Sequence, residues 1–308
     1  MKDKVLRLFP LHLKQAVEEK IARQWQALQE IRLRLNQPIE LVFDTHVQWI
    51  ETSIFSQKDS HFVLNQLSEF SLYRLQDELR AGYLTIEGGH RVGLAGAINT
   101  VNGQVKTIKH ITFFNIRLAK EKIDLAYPLM SYIYERNYLN TLIIGAPQTG
   151  KTTLIRDLTR IIATGYRNVP AHKVSVIDER SEIAAAKNGI PQHDVGLRAD
   201  ILDACPKAEG MMMAIRSLSP DVIIVDEIGS AADVNALLEA AQAGVAIICT
   251  IHGNSLNRVK QRPALQQLFE QKIFERCIVL KSNQRSSVAA IYNAQDKDIY
   301  GRTNQWII

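Results

Sequence analysis

A run of glycine, lysine and threonine is the first feature of this sequence whose spacing indicates chemistry. The segment 145-GAPQTGKT-152 fits the pattern G-x-x-x-x-G-K-[ST], in which backbone N–H groups of a loop bind phosphate oxygens. In that pattern Lys151 reaches the β- and γ-phosphates and the Thr152 hydroxyl ligates Mg²⁺. We therefore predict that ATP is bound by Gly145, Ala146, Pro147, Gln148, Thr149, Gly150, Lys151, Thr152 and Thr153.

Two acids at the end of an apolar run supply a second part of such a site. The run 221-DVIIVDE-227 reads as a buried strand that ends at Asp226 and Glu227. In phosphoryl-transfer sites of this type a carboxylate at the end of a strand holds the metal. We expect this strand to lie beside the phosphate loop, Asp226 to bind Mg²⁺ through water, and Glu227 to position the attacking water as a general base.

A third strand, in 174-VSVIDERSEI-183, also ends in acids: Asp178, Glu179 and Glu182. Open parallel sheets bind ligands outside the carboxyl ends of their strands, so we expect these acids to point into the same crevice. Glu179 is the second candidate for positioning the water.

A histidine and an arginine complete the set of candidates. The run 245-VAIICTIH-252 ends at His252, which is either a structural residue or a phosphate sensor. Arg216 precedes Pro220 at the entry to its strand, away from the catalytic end. It forms either a surface ion pair or a contact across a subunit interface.

These residues require a parallel sheet to position them. From residue 140 on, strands alternate with helices, which is typical of a parallel sheet with helices on both faces. The candidate strands are 141–144, 173–178, 221–226, 245–251 and 276–281, and 286–308 reads as a hairpin at the sheet edge.

The upstream part reads as a separate, mixed α/β module. We expect helices in 11–29 and 123–139 and one in 60–82 that Ser60 caps and Gly82 ends. Two strands are expected in 30–43, hairpins in 83–108, and a last element in 111–122. The predicted domains are 1–125 and 126–308.

Composition restricts the class of protein. The chain has 308 residues, a formal charge of +5 and three cysteines, so neither a disulfide framework nor a zinc site is indicated. Cys249 and Cys277 lie in apolar runs and are predicted to be buried thiols. No signal peptide and no run of about 18 apolar residues is found, so we predict a cytoplasmic protein.

Taken together, GAPQTGKTT, VIDERSE, IRSLSPDVIIVDEIG and ICTIHG resemble the RecA-like motors of type II and type IV secretion and pilus ATPases. Those proteins carry a Walker A loop, an acidic "Asp box", a Walker B strand and a "His box", here 145–152, 178–182, 216–227 and 250–252. Within that group the chain is most similar to the stage III sporulation protein AA family. That family joins such a motor to a short N-terminal domain with an EGGHRVGLAGA-like hairpin and an NIRLA-like strand.

The resemblance implies an α/β fold, with a RecA-like P-loop NTPase domain of parallel-sheet core after a smaller mixed α/β domain. It further implies that Arg91 and Arg117 of the N-terminal domain close over the nucleotide. Two departures stand out. Many secretion motors have glycine where Asp226 stands, and the tetracysteine zinc insert of some relatives is absent.

The resemblance also implies partners. The expected assembly is a homohexamer, peripheral to the membrane on the mother-cell side. It would dock on membrane-embedded sporulation channel proteins that link mother cell and forespore, without nucleic acid. A RecA-like nucleic-acid translocase and a structural subunit that binds nucleotide without turnover are the alternatives, which ATPase assays with and without nucleic acid separate.

Overall fold

The computed structural model describes residues 2–68, 79–80, 82–101, 103–120, 122–282 and 286–301. The chain forms two compact units, Met1–Lys120 and Glu121–Ile308. Within the described residues, no helix has both the length and the apolar character that crossing a membrane requires.

The first unit is an antiparallel sheet with helices packed on one face. Its helices are α1 (Lys2–Leu6), α2 (Leu11–Ile21) and α3 (Gln57–Ser68). Its strands are β1 (Leu28–Arg34), β2 (Pro38–Phe43), β3 (Val47–Ile54), β4 (Tyr83–Ile86), β5 (His90–Val101) and β6 (Gln104–Arg117). The order across the sheet is β3-β2-β1-β6-β5-β4.

Buried and exposed side chains alternate along the strands of this sheet and show which of its faces the helices cover. Ile31 and Leu33 of β1 are fully buried, and so is Ile116 of β6, which pairs directly with Ile31. They pack in one core with Leu13 and Val17 of α2. Because side chains alternate in a strand, Arg32 between the two buried residues of β1 points to the other face.

The second unit is a three-layer α/β structure. Its strands are β7 (Thr141–Gly145), β8 (Val174–Asp178), β9 (Ala199–Asp203), β10 (Val222–Val225), β11 (Ala246–His252), β12 (Arg276–Leu280) and β13 (Val288–Asn293). Its helices are α4 (Met130–Ile133), α5 (Lys151–Thr164), α6 (Lys207–Ser217), α7 (Ala231–Gln242), α8 (Leu256–Lys260) and α9 (Gln266–Glu270).

The seven-stranded sheet has the order β13-β12-β7-β11-β10-β8-β9. All neighbouring pairs are parallel except β12 and β13. Strand β11 lies between β7, which leads into the loop, and β10, which ends just before Asp226. The separation brings the end of β11, with Thr250 and His252, to the centre of the site.

Successive residues of each central strand face opposite layers. Ile143 of β7 packs with Leu154 and Leu158 of α5. Leu142 and Ile144 face the other layer, which includes Leu237 of α7. Both faces are therefore covered, which explains why these strands read as continuous apolar runs instead of alternating ones.

The predicted RecA-like elements agree with the structure, whereas the connecting regions differ. Strand β9 and the N-terminal strand β3 were not predicted, and 111–122 is not a separate element because β6 continues through it to Arg117. The region 11–29 is helical only to Ile21, since β1 begins at Leu28. The region 123–139 contains only a 3-10 turn (Tyr127–Leu129) and the short helix α4.

Two further differences have local causes. Helix α3 begins at Gln57 instead of residue 60, because the Ser56 hydroxyl accepts from the Asp59 N–H and the Asp59 carboxylate accepts from the Ser56 N–H. Residues 69–78 and 81 of the predicted helix lie outside the described residues. At the sheet edge β13 pairs with β12, and residues 302–308 of the predicted hairpin lie outside the described part.

Candidate nucleotide-binding site

Two glycines allow the loop after β7 to fold tightly. A side-chain carbon on Gly145 would lie 2.4 Å from the Thr149 hydroxyl, and one on Gly150 would lie 2.2 Å from the Ser286 hydroxyl. Gly150 also has φ 89° at the position that caps α5, a conformation that favours glycine. The N-terminus of this 14-residue helix therefore follows directly on the tight loop, and free N–H groups at such a terminus are what binds phosphate.

Lys151 is the first residue of α5 and is 7% exposed. Its Nζ donates to the carbonyl oxygens of Gly145 at 2.9 Å and Ala146 at 3.0 Å, and lies 3.1 Å from Nδ1 of His252. Burial lowers the pKa of Lys151, and the carboxylates of Asp226 and Glu227 oppose that shift. The ammonium group is thus held over the loop by acceptors from β7 and β11.

Asp226 connects the loop helix to the neighbouring strand. Its Oδ2 accepts from the Thr152 hydroxyl at 2.7 Å, and its Oδ1 accepts from the Thr250 hydroxyl. Thr250 is fully buried in β11 and also accepts from the Glu227 N–H at 2.9 Å. Thr250 therefore sets the positions of both acids after β10, a function that the sequence did not reveal.

Glu227 has an unusual backbone conformation for a residue with a side chain. Its φ is 56°, which costs roughly 1–2 kcal/mol in a non-glycine residue. Its carboxylate bonds on both sides, with Oε1 2.6 Å from Nε2 of His252 and Oε2 3.1 Å from the guanidinium of Arg180. A strained acid held in this way at the end of a core strand is typical of a functional site.

The acids after β8 do not all point into the same crevice, which corrects that expectation. The carboxylate of Asp178 is buried and accepts the backbone N–H groups of Glu182, Ile183 and Ala184 at 2.8–3.0 Å. Burial raises the pKa of Asp178, and these three donors oppose the shift. Asp178 therefore shapes its own loop, while the carboxylate of Glu179 forms an ion pair with Lys207.

The three predicted arginines belong to other elements of the chain than those that contribute Lys151, Asp226 and His252. Arg216 is exposed in the last turn of α6, before the amino end of β10. Arg91 and Arg117 are directly paired across β5 and β6 of the first unit. The Arg91 guanidinium lies 3.5 Å from the centre of the Tyr83 ring, and Arg117 lies 3.3 Å from Glu30.

Two residues near the loop were not predicted as parts of the site. Arg180 belongs to the segment VIDERSE, so its proximity to the acids was a signal that sequence reasoning did not use. Ser286 follows β12, and its N–H donates to the Thr149 carbonyl oxygen at 2.6 Å. No sequence pattern connects Ser286 to the loop, because the contact depends on the β12–β13 turn.

The described residues fit a nucleotide with Mg²⁺. Gly145 and Gly150 leave room where side-chain carbons would collide, and Lys151 provides a buried cation beside that space. Thr152 and Asp226 bring a hydroxyl and a carboxylate together, and Mg²⁺ prefers such oxygen ligands.

The fold is the RecA-like α/β fold, as predicted, and secretion and pilus ATPases share it. The ATPase DotB of Legionella pneumophila superposes with a TM-score of 0.62 at 17% identity, covering 94% of this chain and 82% of that chain. The pilus retraction motor PilT, solved with bound ADP, superposes with a TM-score of 0.59 at 16% identity, covering 90% and 77%.

The chain belongs to the family described as "Sporulation stage III, protein AA", whose pattern matches residues 1–299. It is 47% identical over 302 residues to "Stage III sporulation protein AA" of Bacillus subtilis (strain 168), and the match covers 98% of both chains. The family that the sequence motifs indicated is thereby confirmed.

Proposed function

We propose that this chain hydrolyses ATP with Mg²⁺ and acts as an oligomeric motor of the secretion-ATPase type. The observation that carries the proposal is the convergence of Lys151, Thr152, Asp226, Glu227 and His252 at the carboxyl ends of three strands. A structural acid pair would not need a strained backbone, a buried lysine and a glycine loop in one place.

Each of these residues has a distinct task in the proposed reaction. The loop N–H groups and Lys151 hold the phosphates, while Thr152 and Asp226 hold Mg²⁺, with Asp226 acting through water. ATP supplies the γ-phosphoryl group that is transferred to water. Glu227 orients that water and accepts its proton on the carboxylate, and Glu179 is the second candidate for this task.

Hydrogen bonding supports Glu227 over Glu179 as the base. His252 and Arg180 contact different oxygens of Glu227 and fix the carboxylate on both sides. Glu179 instead pairs with Lys207, the first residue of α6. Fixed orientation is what a group that positions water requires.

The assembly we propose is a homohexamer. Arg91 and Arg117 serve to close over the nucleotide, and Arg216 serves as a contact across the subunit interface. Arg216 is exposed and remote from its own Lys151 in the chain's topology, which supports a role toward another subunit.

We further propose that the motor is peripheral to a membrane and powers or assembles a channel complex during sporulation, on the mother-cell side. The support is family membership together with the likeness in fold to DotB and to the pilus retraction motor PilT.

Phosphate release by the purified full chain tests the proposed activity. We expect turnover that requires Mg²⁺ and does not change when single-stranded or duplex DNA is added. Strong stimulation of turnover by DNA would indicate a nucleic-acid translocase instead of a secretion-type motor. If the protein binds nucleotide but shows no turnover even at high protein concentration, it acts as a structural subunit instead of a motor.

Light scattering with a non-hydrolysable ATP analogue tests the assembly. The Glu227→Gln protein with ATP provides a second trapped state. We expect six-subunit particles in both, and a monomer at high concentration in both would contradict the ring.

A further inference from the structure

The hairpin of β5 and β6 extends well beyond the sheet to which it belongs. Strand β1 pairs with β6 only from Phe113 to Arg117, and β4 pairs with β5 only from His90 to Gly93. Among the strands that the structure describes, β5 and β6 pair only with each other from Gly96 to Val101. Ile108, which pairs with Ile98, is still buried in the core of the first unit, so the part of the hairpin that reaches solvent lies around the turn after these two residues.

The projecting end carries aliphatic side chains in water. Ile98 is 51% exposed, Val101 is 50% exposed and Val105 is 42% exposed. Val101 and Val105 lie on either side of the turn. Isolated two-stranded ribbons are marginally stable in water, and these three side chains lie outside the core of the first unit.

The charge of the hairpin has one sign. Residues 88–120 contain no aspartate or glutamate, and their cationic side chains are Arg91, Lys106, Lys109, Arg117 and Lys120. Lys106 and Lys109, near the tip, are both exposed. Across the ranges that the structure describes, no carboxylate lies within ion-pairing distance of either lysine.

We propose that this hairpin tip binds the surface of an anionic phospholipid bilayer. Ile98, Val101 and Val105 enter the headgroup region, and Lys106 and Lys109 contact lipid phosphates. Aliphatic groups flanked by lysines are the combination that binds such interfaces. A nucleic acid would match the lysines but leave the aliphatic side chains in water, and an apolar protein surface would leave the lysines unmatched.

The inference goes beyond the proposed motor activity and holds whether or not the chain hydrolyses ATP. It assigns direct lipid contact to residues near the turn of the hairpin, to which the proposed reaction gives no task. A motor bound in this way would be held at a bilayer before it meets any membrane protein.

Sedimentation of the full chain with lipid vesicles tests the proposal. We expect binding to phosphatidylcholine vesicles that contain phosphatidylglycerol, weak binding to phosphatidylcholine alone, and release by high salt. Lys106→Gln with Lys109→Gln should weaken binding about 30-fold and flatten its salt dependence. Val101→Ser with Val105→Ser should weaken binding about tenfold and leave the salt dependence unchanged.

Matched changes elsewhere in the chain serve as controls. Lys20→Gln with Lys58→Gln removes the same charge from exposed positions of the first unit, and Leu197→Ser removes a side chain that is 94% exposed. We expect both to bind like the parent protein. Circular dichroism and phosphate release of every variant report folding and motor activity separately.

Three results would overturn the proposal: no binding to the anionic vesicles, equal binding to both kinds of vesicle, or hairpin variants that bind like the controls. If the double variant Val101→Ser with Val105→Ser fails to fold, vesicle binding is measured with Val101→Ser alone. Retention of the full chain on nucleic acid with no vesicle binding would assign the lysines to a different ligand.

Discussion

Nε2 of His252 lies 2.6 Å from Oε1 of Glu227, while Nδ1 of the same ring lies 3.1 Å from Nζ of Lys151. An ammonium group only donates, so Nδ1 accepts and the ring hydrogen of the neutral imidazole is on Nε2, where it donates to Glu227. His252 therefore links Lys151, the proposed phosphate ligand, to Glu227, which we propose positions the water. This link is the geometry that the proposed sensing role requires.

Glu227→Gln should lower ATP turnover by about 10²–10⁴ because the amide cannot accept the proton of the attacking water. Binding should remain, since Lys151, Thr152 and Asp226 are unchanged. Single-turnover assays with labelled ATP, followed by rapid filtration, measure both quantities. We expect ATP, not ADP, on the protein.

Glu179→Gln is the matched comparison for that variant, because it removes one carboxylate from a neighbouring strand end. Its carboxylate pairs with Lys207 and not with His252, so turnover should stay near that of the parent protein. If Glu179→Gln trapped ATP and Glu227→Gln turned over normally, the two roles would have to be exchanged.

Thr250→Val should raise the Mg²⁺ concentration needed for half-maximal turnover several-fold. The change keeps the shape of the side chain but removes the donor to Asp226 and the acceptor of the Glu227 N–H. The buried groups left unpaired should also lower the free energy of unfolding by about 1–3 kcal/mol. Mg²⁺ titrations and urea denaturation measure the two effects.

Thr141→Val is the control, because Thr141 is equally buried and donates to the Leu139 carbonyl oxygen at the opposite end of the sheet. It should cost stability by about 1 kcal/mol and leave the Mg²⁺ requirement unchanged. The role of Thr250 is refuted if both variants show the same Mg²⁺ dependence.

Alkylation should distinguish the three cysteines. Burial raises the pKa of the Cys277 thiol to about 12 and that of Cys249 well above its ordinary value. Both remain protonated in mildly alkaline solution, and alkylation requires the thiolate. The native protein should be labelled at the partly exposed Cys205, and mass spectrometry should find all three labelled after unfolding.

The same shifts have a consequence for stability. An acid whose folded pKa is raised keeps its proton in the native state while the unfolded chain ionises, so stability falls as pH rises past the ordinary thiol pKa. Thermal midpoints measured across that range should decrease. Rapid labelling of Cys249 in the native protein would contradict its burial.

The sequence predicted most reliably the parts whose chemistry is local. A glycine loop and the acids after apolar runs carry their signals within a few residues, and the predicted burial of Cys249 and Cys277 is confirmed. The order of the strands could not be predicted from the pattern of apolar residues, because the position of β11 between β7 and β10 depends on long-range pairing. For the same reason the roles of Thr250 and Ser286 emerge only from the structure.

Helical periodicity was least reliable outside the sheet. The region 123–139 has apolar residues at helical spacing, yet backbone N–H groups of Asp124 and Ala126 bond to the buried carboxylate of Asp157 in α5. This tertiary contact fixes the segment in an irregular conformation. Only Met130–Ile133 remains α-helical, so the contact with α5 overrides local preference.

ATP turnover by Lys151→Ala tests the central claim most directly. Burial lowers the pKa of Lys151. The charged ammonium group is therefore less favourable in the folded state than in the unfolded chain. Removing the ammonium group should therefore leave the thermal midpoint unchanged or slightly higher, while Lys297→Ala, at an exposed position of the same unit, should affect neither property. The account predicts that Lys151→Ala is folded and has lost turnover, and undiminished turnover in a folded Lys151→Ala protein would contradict it.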